Sequence, residues 1–417
     1  MRANAFHCRK DNPHQTRDVP WPFAAGGDYP LIKIDGANFE ISDSDIWSTW
    51  TVFMVCPDRY VCGAFGSLGR DIKSARYGQI VRNTVWNGGS CYWFDAGQIL
   101  WEDNTCTGNS PEAMGTGVME WSGGYTHNFY VGSSSIRQVW GNDREVMTFD
   151  GESPCFYGHV VNVSTDGLTF RLDHALPGTN VQGGVLVVLN GTGAAQSRRL
   201  VSNTTDSVTV DRPLDVPVGN ATIGVMPFRG RSIFYRNTFE DVGAFQTYGT
   251  GMDVIAYGNS MARGGGFVAW GQFTPNEGGH FVHPNMRVQF IGNDVTEGNR
   301  AEHQGTPLGM GDWGPQLQNG GAGFSVFGHS DPSTPAHPEV NRLIDFRRNR
   351  VLSNGGFQIG PGIDIVVSGN SVANTPRESI VPRDPYVVDP AALGVLLRDN
   401  VSPVEVVETQ TLLSIEI

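Results

Sequence analysis

The 417-residue chain reads as an all-β solenoid, on three observations. Glycine occurs 54 times and charged residues make up only 17% of the chain, so the straight-chain residues that favour helices are scarce. Hydrophobic residues reach 39% with ten tryptophans, which excludes a disordered chain. A short motif centred on asparagine also recurs along most of the length, and that recurrence organises everything else.

The motif is an apolar position, two or three residues, asparagine, one residue, and a second apolar position. It stands at IVRNTV (80–85), LWEDNTC (100–106), IFYRNTF (233–239), IAYGNSM (255–261), QFIGNDV (289–295), DFRRNRV (345–351) and VVSGNSV (366–372). The closest asparagine pairs, 83 and 104, 237 and 259, 349 and 370, lie 21, 22 and 21 residues apart. Between successive asparagines comes a second alternating segment punctuated by glycine: GAFQTYG (243–249), GGFVAWG (265–271), AGFSVFG (322–328) and GGFQIGP (355–361). Period-two alternation makes both segments short strands, with turns at the glycines and asparagines. A repeat of this length predicts a parallel β-helix whose coils stack at about 4.8 Å. Equivalent asparagines then fall in register and share amide hydrogen bonds as a ladder.

These motifs resemble the right-handed parallel β-helix superfamily of pectate lyases, polygalacturonases and many phage tailspikes. The resemblance covers roughly residues 30–150 and 230–402. It implies the right-handed sense of the coil, and glycoside hydrolase or polysaccharide lyase activity. The Asp-Asp and Gly-His-Gly motifs of polygalacturonases are missing, Gly328-His329-Ser330 being the nearest match, and so is the calcium and arginine pattern of pectate lyases.

The repeat divides the chain into N-terminal coils (1–152), an aperiodic segment (153–228), C-terminal coils (229–402) and a tail or cap (403–417). Residues 153–228 hold six short β patterns, HVVNVS, LTFRL, GVLVVL, SRRLV, SVTVD and ATIGVM, joined by Gly, Asn and Pro turns. They are expected to form a small antiparallel β module inserted between two coils, as a structural cover or an oligomerisation element. Residues 296–340, rich in Gly, Pro and His, are expected to be a long loop between coils, a kind of segment that is usually functional or disordered.

Candidate chemistry follows from stacking. With residues 153–228 excised, Asp150 and Tyr248 are 22 residues apart, as are Tyr248 and Trp270. Each of the three precedes the glycine that ends its strand, and Phe327 continues the column. Their neighbours Phe149, Thr247 and Ala269 have opposite parity and should point the other way. A carboxylate beside stacked aromatics suits sugar rings, whose C–H faces pack on aromatic faces. The expected substrate-binding residues are therefore Tyr248, Trp270, Gln246, Phe327 and His329. The densest charged cluster is WGNDREVMTFDGE (140–152). It supplies the expected catalytic residues Asp143, Arg144, Glu145 and Asp150, with His127 about one coil earlier as acid or base. Glycosidases need two carboxyl groups across the scissile bond, whereas a lyase needs a base and a cation to neutralise the substrate carboxylate. The alternative is a structural salt bridge of Asp143 with Arg144 and a turn capped by Asp150.

Composition bounds the partners. The formal net charge of −13 argues against nucleic acid. No apolar run reaches the roughly 20 residues of a membrane span. The leading residues MRANAFHCRKDNPH show no apolar signal-peptide core, as expected of a cytosolic chain or of a fragment that lacks its natural beginning. Six cysteines allow a Cys91–Cys106 bridge or buried free thiols. Sequons stand at Asn162, Asn190, Asn203, Asn220 and Asn400, four of them within 153–228, as expected of a surface-exposed segment of a secreted protein. No metal motif appears. Acids near the asparagine turns (Glu102–Asp103, Glu240–Asp241, Asp294, Glu297) leave Ca2+ open, although no DxDxDG loop accompanies them.

The expected partner is thus a polysaccharide, cleaved or bound extracellularly or at a cell surface along one face of the helix. The competing reading is a non-catalytic structural or adhesive β-helix. If the column is the site, Asp150→Asn abolishes polysaccharide turnover, measured as reducing ends and unsaturated-uronate absorbance, while the folding transition stays in place; unchanged turnover refutes the assignment.

Overall fold

The computed structural model describes residues 5–7, 32–34, 38–47, 53–55, 76–87, 92–94, 97–108, 129–138, 145–148, 156–176, 181–226, 228–240, 242, 244–248, 251–276, 279–298, 323–329, 337–353, 355–373 and 386–402. Among these residues the chain is a parallel β-helix with one inserted barrel. Sheet I has ten parallel strands, in the order Glu40–Ser42, Arg76–Val81, Gly97–Glu102, Tyr130–Gly132, Arg229–Tyr235, Gly251–Tyr257, Asn285–Ile291, Asn341–Arg347, Ile363–Ser368 and Leu393–Arg398. Sheet II, also ten-stranded, runs from Ala5–His7 to Ser371–Val372 and takes the strand after each asparagine turn. Sheet III stacks Glu145–Thr148, Ala244–Tyr248, Phe267–Asn276, Phe324–His329, Phe357–Ile359 and Tyr386–Val388. Phe267–Asn276 also folds back as a hairpin with Gly279–His283. A further parallel sheet of three strands comprises Ile32–Ile34, Phe53–Val55 and Tyr92–Phe94.

The asparagines form the expected ladder. Each Nδ2 donates forward to the next coil's Oδ1, from Asn237 to Asn259 and from Asn259 to Asn293 at 2.9 Å, and from Asn349 to Asn370 and Asn370 to Asn400 at 3.0 Å. The same Nδ2 donates backward to the carbonyl three residues before the preceding rung: Asn259 to Phe234 at 3.0 Å, Asn293 to Ala256 at 2.9 Å, Asn349 to Phe290 at 2.8 Å. The backbone N–H of each rung also donates to the next Oδ1. Two rungs carry serine instead: Ser134 bridges Asn104 and Asn237, and Ser44, in the place before Asn83, donates its backbone N–H to Asn83 Oδ1. The residue before each rung has left-handed φ, 55° at Arg82, 53° at Arg236 and 54° at Arg348. That conformation is costly for a side chain with a Cβ. Here the backbone amides and ladder bonds on either side hold it.

Inside the coil, phenylalanines stack where sheet III repeats. Phe267 and Phe324 have centroids 5.3 Å apart and planes 8° apart; Phe324 and Phe357 are at 5.0 Å and 15°. Phe290 and Phe346 stack at 5.2 Å beneath sheet I. Cys106 lies in this core and is disulfide-bonded; Cys91, its expected partner, lies outside the described residues.

The insertion is a closed antiparallel barrel of Phe156–Val163, Thr169–Leu172, Ser207–Val210, Ser197–Asn203, Val185–Asn190 and Thr222–Met226. It has its own core, around Phe156, Phe170, Leu186, Leu200 and Val208. Val185, Val187, Leu189 and Met226 instead pack on Phe228, Met252, Phe273, Val282 and Met286 of the helix. Arg287 pins the joint, binding Asp253 at 2.5 Å and the barrel's Ala195 carbonyl at 2.7 Å. Tyr157 donates to buried Glu339 at 2.9 Å, and His337 Nδ1 meets the same oxygen at 2.9 Å. These hydrogen bonds hold the Glu339 carboxyl below its ordinary pKa against the upward push of burial. Where the chain leaves the barrel, a Cβ on Gly230 (φ 143°) would lie 1.7 Å from the Met252 carbonyl oxygen, so only glycine fits.

Residues 296–340 are not a single loop. Phe324–His329 is a sheet III strand within that stretch, and Pro338–Val340 forms a 3-10 turn. Asn162, Asn190 and Asn220 of the barrel are exposed.

Asn259→Ala removes four ladder hydrogen bonds at once: those that Asn237 donates through N and Nδ2, and those that Asn259 donates to Phe234 and Asn293. At about 1 kcal/mol each, with buried donors left unmet, the expected loss is about 3–5 kcal/mol. Exposed Thr238→Ala should stay within about 0.5 kcal/mol. Denaturant unfolding of the two variants measures the contrast, and equal stabilities would overturn the ladder's role.

Candidate functional site

The expected aromatic column is in register. Tyr248 pairs with Trp270 and Trp270 with Phe327, while Gln246 pairs with Val268 and Val268 with Ser325. Parity is also as expected: Ala269 faces the coil interior, whereas Trp270 and Phe327 form a separate outer cluster with Ala244 and Val268. The outer cluster is covered, however. Trp270 is 3% exposed and Phe327 6%, their rings tilted at 5.5 Å, and Gln246 is buried beside them. The expected open groove is not what the described residues show: Trp270, Phe327 and Gln246 are buried.

Of the expected catalytic group, Glu145 opens the strand Glu145–Thr148, which pairs with Ala244–Tyr248. The described register ends at Thr148–Gln246, two residues short of Asp150. Asp150, Arg144, Asp143 and His127 lie outside the described residues. His329 ends its strand in register with Gln272. Among the described residues no group of three or more His, Cys, Asp or Glu side chains could hold a metal ion, and no helix is long and apolar enough to cross a membrane.

A second aromatic column, on the outer face of sheet I, is open. The register runs Glu102–Gly132–Tyr235–Tyr257–Ile291–Arg347, flanked by Leu100–Tyr130–Ile233–Ile255–Gln289–Asp345. Phe234, Ala256 and Phe290 face the core, so these residues face out. Tyr235 and Tyr257 stack at 5.6 Å with planes 3° apart, and the Arg236 guanidinium lies 4.8 Å from the Tyr235 ring centre. Tyr130 lies over Gly132, where any Cβ would clash with its ring at 2.6 Å. Tyr257 is 44% exposed and Ile233 42%. Large apolar side chains gathered on an open face mark an interaction surface.

Charge brackets this strip. At one end stands Glu102; burial, with Glu102 beside it, raises the Tyr130 pKa. At the other, Asp345 is gripped by Arg347 at 2.8 and 2.7 Å. Burial pushes the Asp345 carboxyl above its ordinary range despite that arginine. Sequence reasoning passed over this strip, although its signal was present: the residue two places before the rung reads Tyr, Tyr, Ile and Arg in successive motifs, IFYRN, IAYGN, QFIGN and DFRRN.

No family model matches the sequence, and no curated protein does. Among solved structures, the Gp54 tailspike of Acinetobacter baumannii bacteriophage AP22, in complex with A. baumannii capsular saccharide, is similar to this chain at 9% identity and a TM-score of 0.25, over 78% of this chain and 51% of the tailspike. The tailspike gp61 of Pseudomonas phage phi297 is similar at 13% identity and a TM-score of 0.19, over 77% of this chain and 64% of its own. The chain thus spans about half of the first tailspike's length and less than two thirds of the second's.

Proposed function

We propose that the chain binds a polysaccharide laid along the outer face of sheet I, outside the cell or at a cell surface. The observation that carries this reading is the open Tyr235–Tyr257 stack, continued by Tyr130 on one side and Ile291 on the other. Strand spacing repeats the same contact every ~4.8 Å, so a polymer running parallel to the axis meets ring after ring in one register. Exposed sequons on the barrel are in keeping with an extracellular chain.

Cleavage is a separate matter of geometry. Glu102 and Asp345 are five coils apart on this face, roughly 24 Å. Paired glycosidase carboxyls stand about 5–9.5 Å apart. The two ends of the strip therefore act as binding groups, and any glycoside hydrolase or polysaccharide lyase activity is assigned to Asp143, Arg144, Glu145 and Asp150 with His127. The non-catalytic adhesive reading is favoured by one observation, the burial of the Trp270–Phe327 column that would have lined a groove beside those residues.

Tyr257→Ala is the decisive variant. A half-exposed ring contributes little to folding, so its thermal transition should stay near that of the parent. Affinity for the polysaccharide identified on a panel should fall about tenfold, the equivalent of about 1.4 kcal/mol. Isothermal titration reads the affinity, and unchanged binding excludes this face.

A further inference from the structure

The turn edge of the same strip shows a pattern that its strands alone do not explain. The residues before successive rungs are Arg236, Gly258, Gly292 and Arg348, all with left-handed φ. That conformation does not demand glycine in this column, because Arg82, Asp103, Arg236, Arg348 and Asp399 adopt it with φ between 53° and 55°. Nor does packing demand it. A Cβ on Gly258 would touch only the Arg236 Cγ at 3.6 Å, and one on Gly292 only the Tyr257 ring at 3.9 Å. The consequence of the two glycines is an absence of side chains beside Tyr257, in the middle of the strip.

The arginines bordering that gap differ from their neighbours. Arg82 pairs with Asp43, Arg347 with Asp345, Arg350 with Asp294 and Arg398 with Asp399. Arg236 and Arg348 are exposed and have no carboxylate partner among the described residues; Arg236 rests on Tyr235 through its cation–π contact. Three coils separate the two, roughly 14 Å. The nearest acids of the same turn column, Asp103 and Asp399, are each two coils further out, roughly 10 Å.

We propose that the recess between Arg236 and Arg348, floored by Tyr257 and Ile291 and kept open by Gly258 and Gly292, is a subsite for an anionic sugar, one that carries a carboxylate, sulfate or phosphate group. The inference rests on the reading of this face as a polysaccharide-binding surface and adds the class of sugar. A guanidinium offers two parallel N–H donors to an oxyanion, and the exposed tyrosine offers an apolar surface to the sugar ring between them.

The test is a glycan array with neutral, uronate-bearing, sulfated and phosphorylated members, probed with the parent chain and with Arg348→Gln, Gly292→Asn and Arg82→Gln. Asparagine tolerates the left-handed conformation, so Gly292→Asn fills the recess without unfolding the turn. The expected result is binding concentrated on acidic members and weakened by added salt, with affinity about five- to tenfold lower in Arg348→Gln and Gly292→Asn and unchanged in Arg82→Gln. Which acidic members bind separates carboxylate from sulfate and phosphate recognition. Binding of neutral members that is indifferent to Arg348→Gln overturns the anionic subsite while leaving the polysaccharide reading in place. Retention of no member overturns both.

Discussion

Each rung asparagine puts two N–H groups and an oxygen where water does not reach, and the fold follows from how those groups are met. One N–H of Asn293 goes forward to Asn349 and the other N–H bond goes back to Ala256, while its oxygen receives two donors from Asn259. All of this closes only if successive coils bring their turns back to one place at strand spacing. A misplaced coil strands several buried polar groups at once, each costing about 1–3 kcal/mol. Register is thereby set at the turn, and the strands on either side inherit it, which is why residues in sheets I and III can be aligned coil by coil.

That constraint acts on turns and leaves the connections between them free. Ser134 and Asn237 are 103 positions apart with the whole barrel between them, yet Ser134 N still donates to Asn237 Oδ1 at 3.2 Å. Likewise 56 residues separate Asn293 and Asn349 without breaking their bond. Additions to a coil cost little loop entropy when both ends are already held. The barrel then needs its own fixings, and it has them in the apolar contact around Met226 and Phe228, the Arg287 bridge and the Tyr157–Glu339–His337 hydrogen bonds.

The fold was legible in the sequence because asparagine is conspicuous and its spacing is nearly constant. The pattern failed where another residue does the same chemistry. Ser134 accepts from Asn104 with a hydroxyl and donates backbone N–H to Asn237, yet VGSSSI contains no asparagine to draw the eye. The Tyr248–Trp270–Phe327 register was legible for the same reason of spacing, and so was its parity. Its burial was not. Whether an outward ring is covered depends on what lies over it, and that is a tertiary fact which a two-residue period cannot encode.

The two outward aromatic columns make the point physically. Both are in register from coil to coil and both alternate with core residues. In sheet III Trp270 packs in one apolar cluster with Ala244, Val268 and Phe327 and is buried. In sheet I the neighbours of Tyr257 are Tyr235 and Ile291 along the register and, on the turn side, the side-chain-free Gly258 and Gly292, and this set leaves the ring half exposed. A ring that stays 44% exposed in such surroundings keeps an apolar area that only a partner can cover. The same glycines that leave it uncovered also leave the chain no side chain of its own to fill the space, so the openness of this face is written into the turn column rather than into the strands.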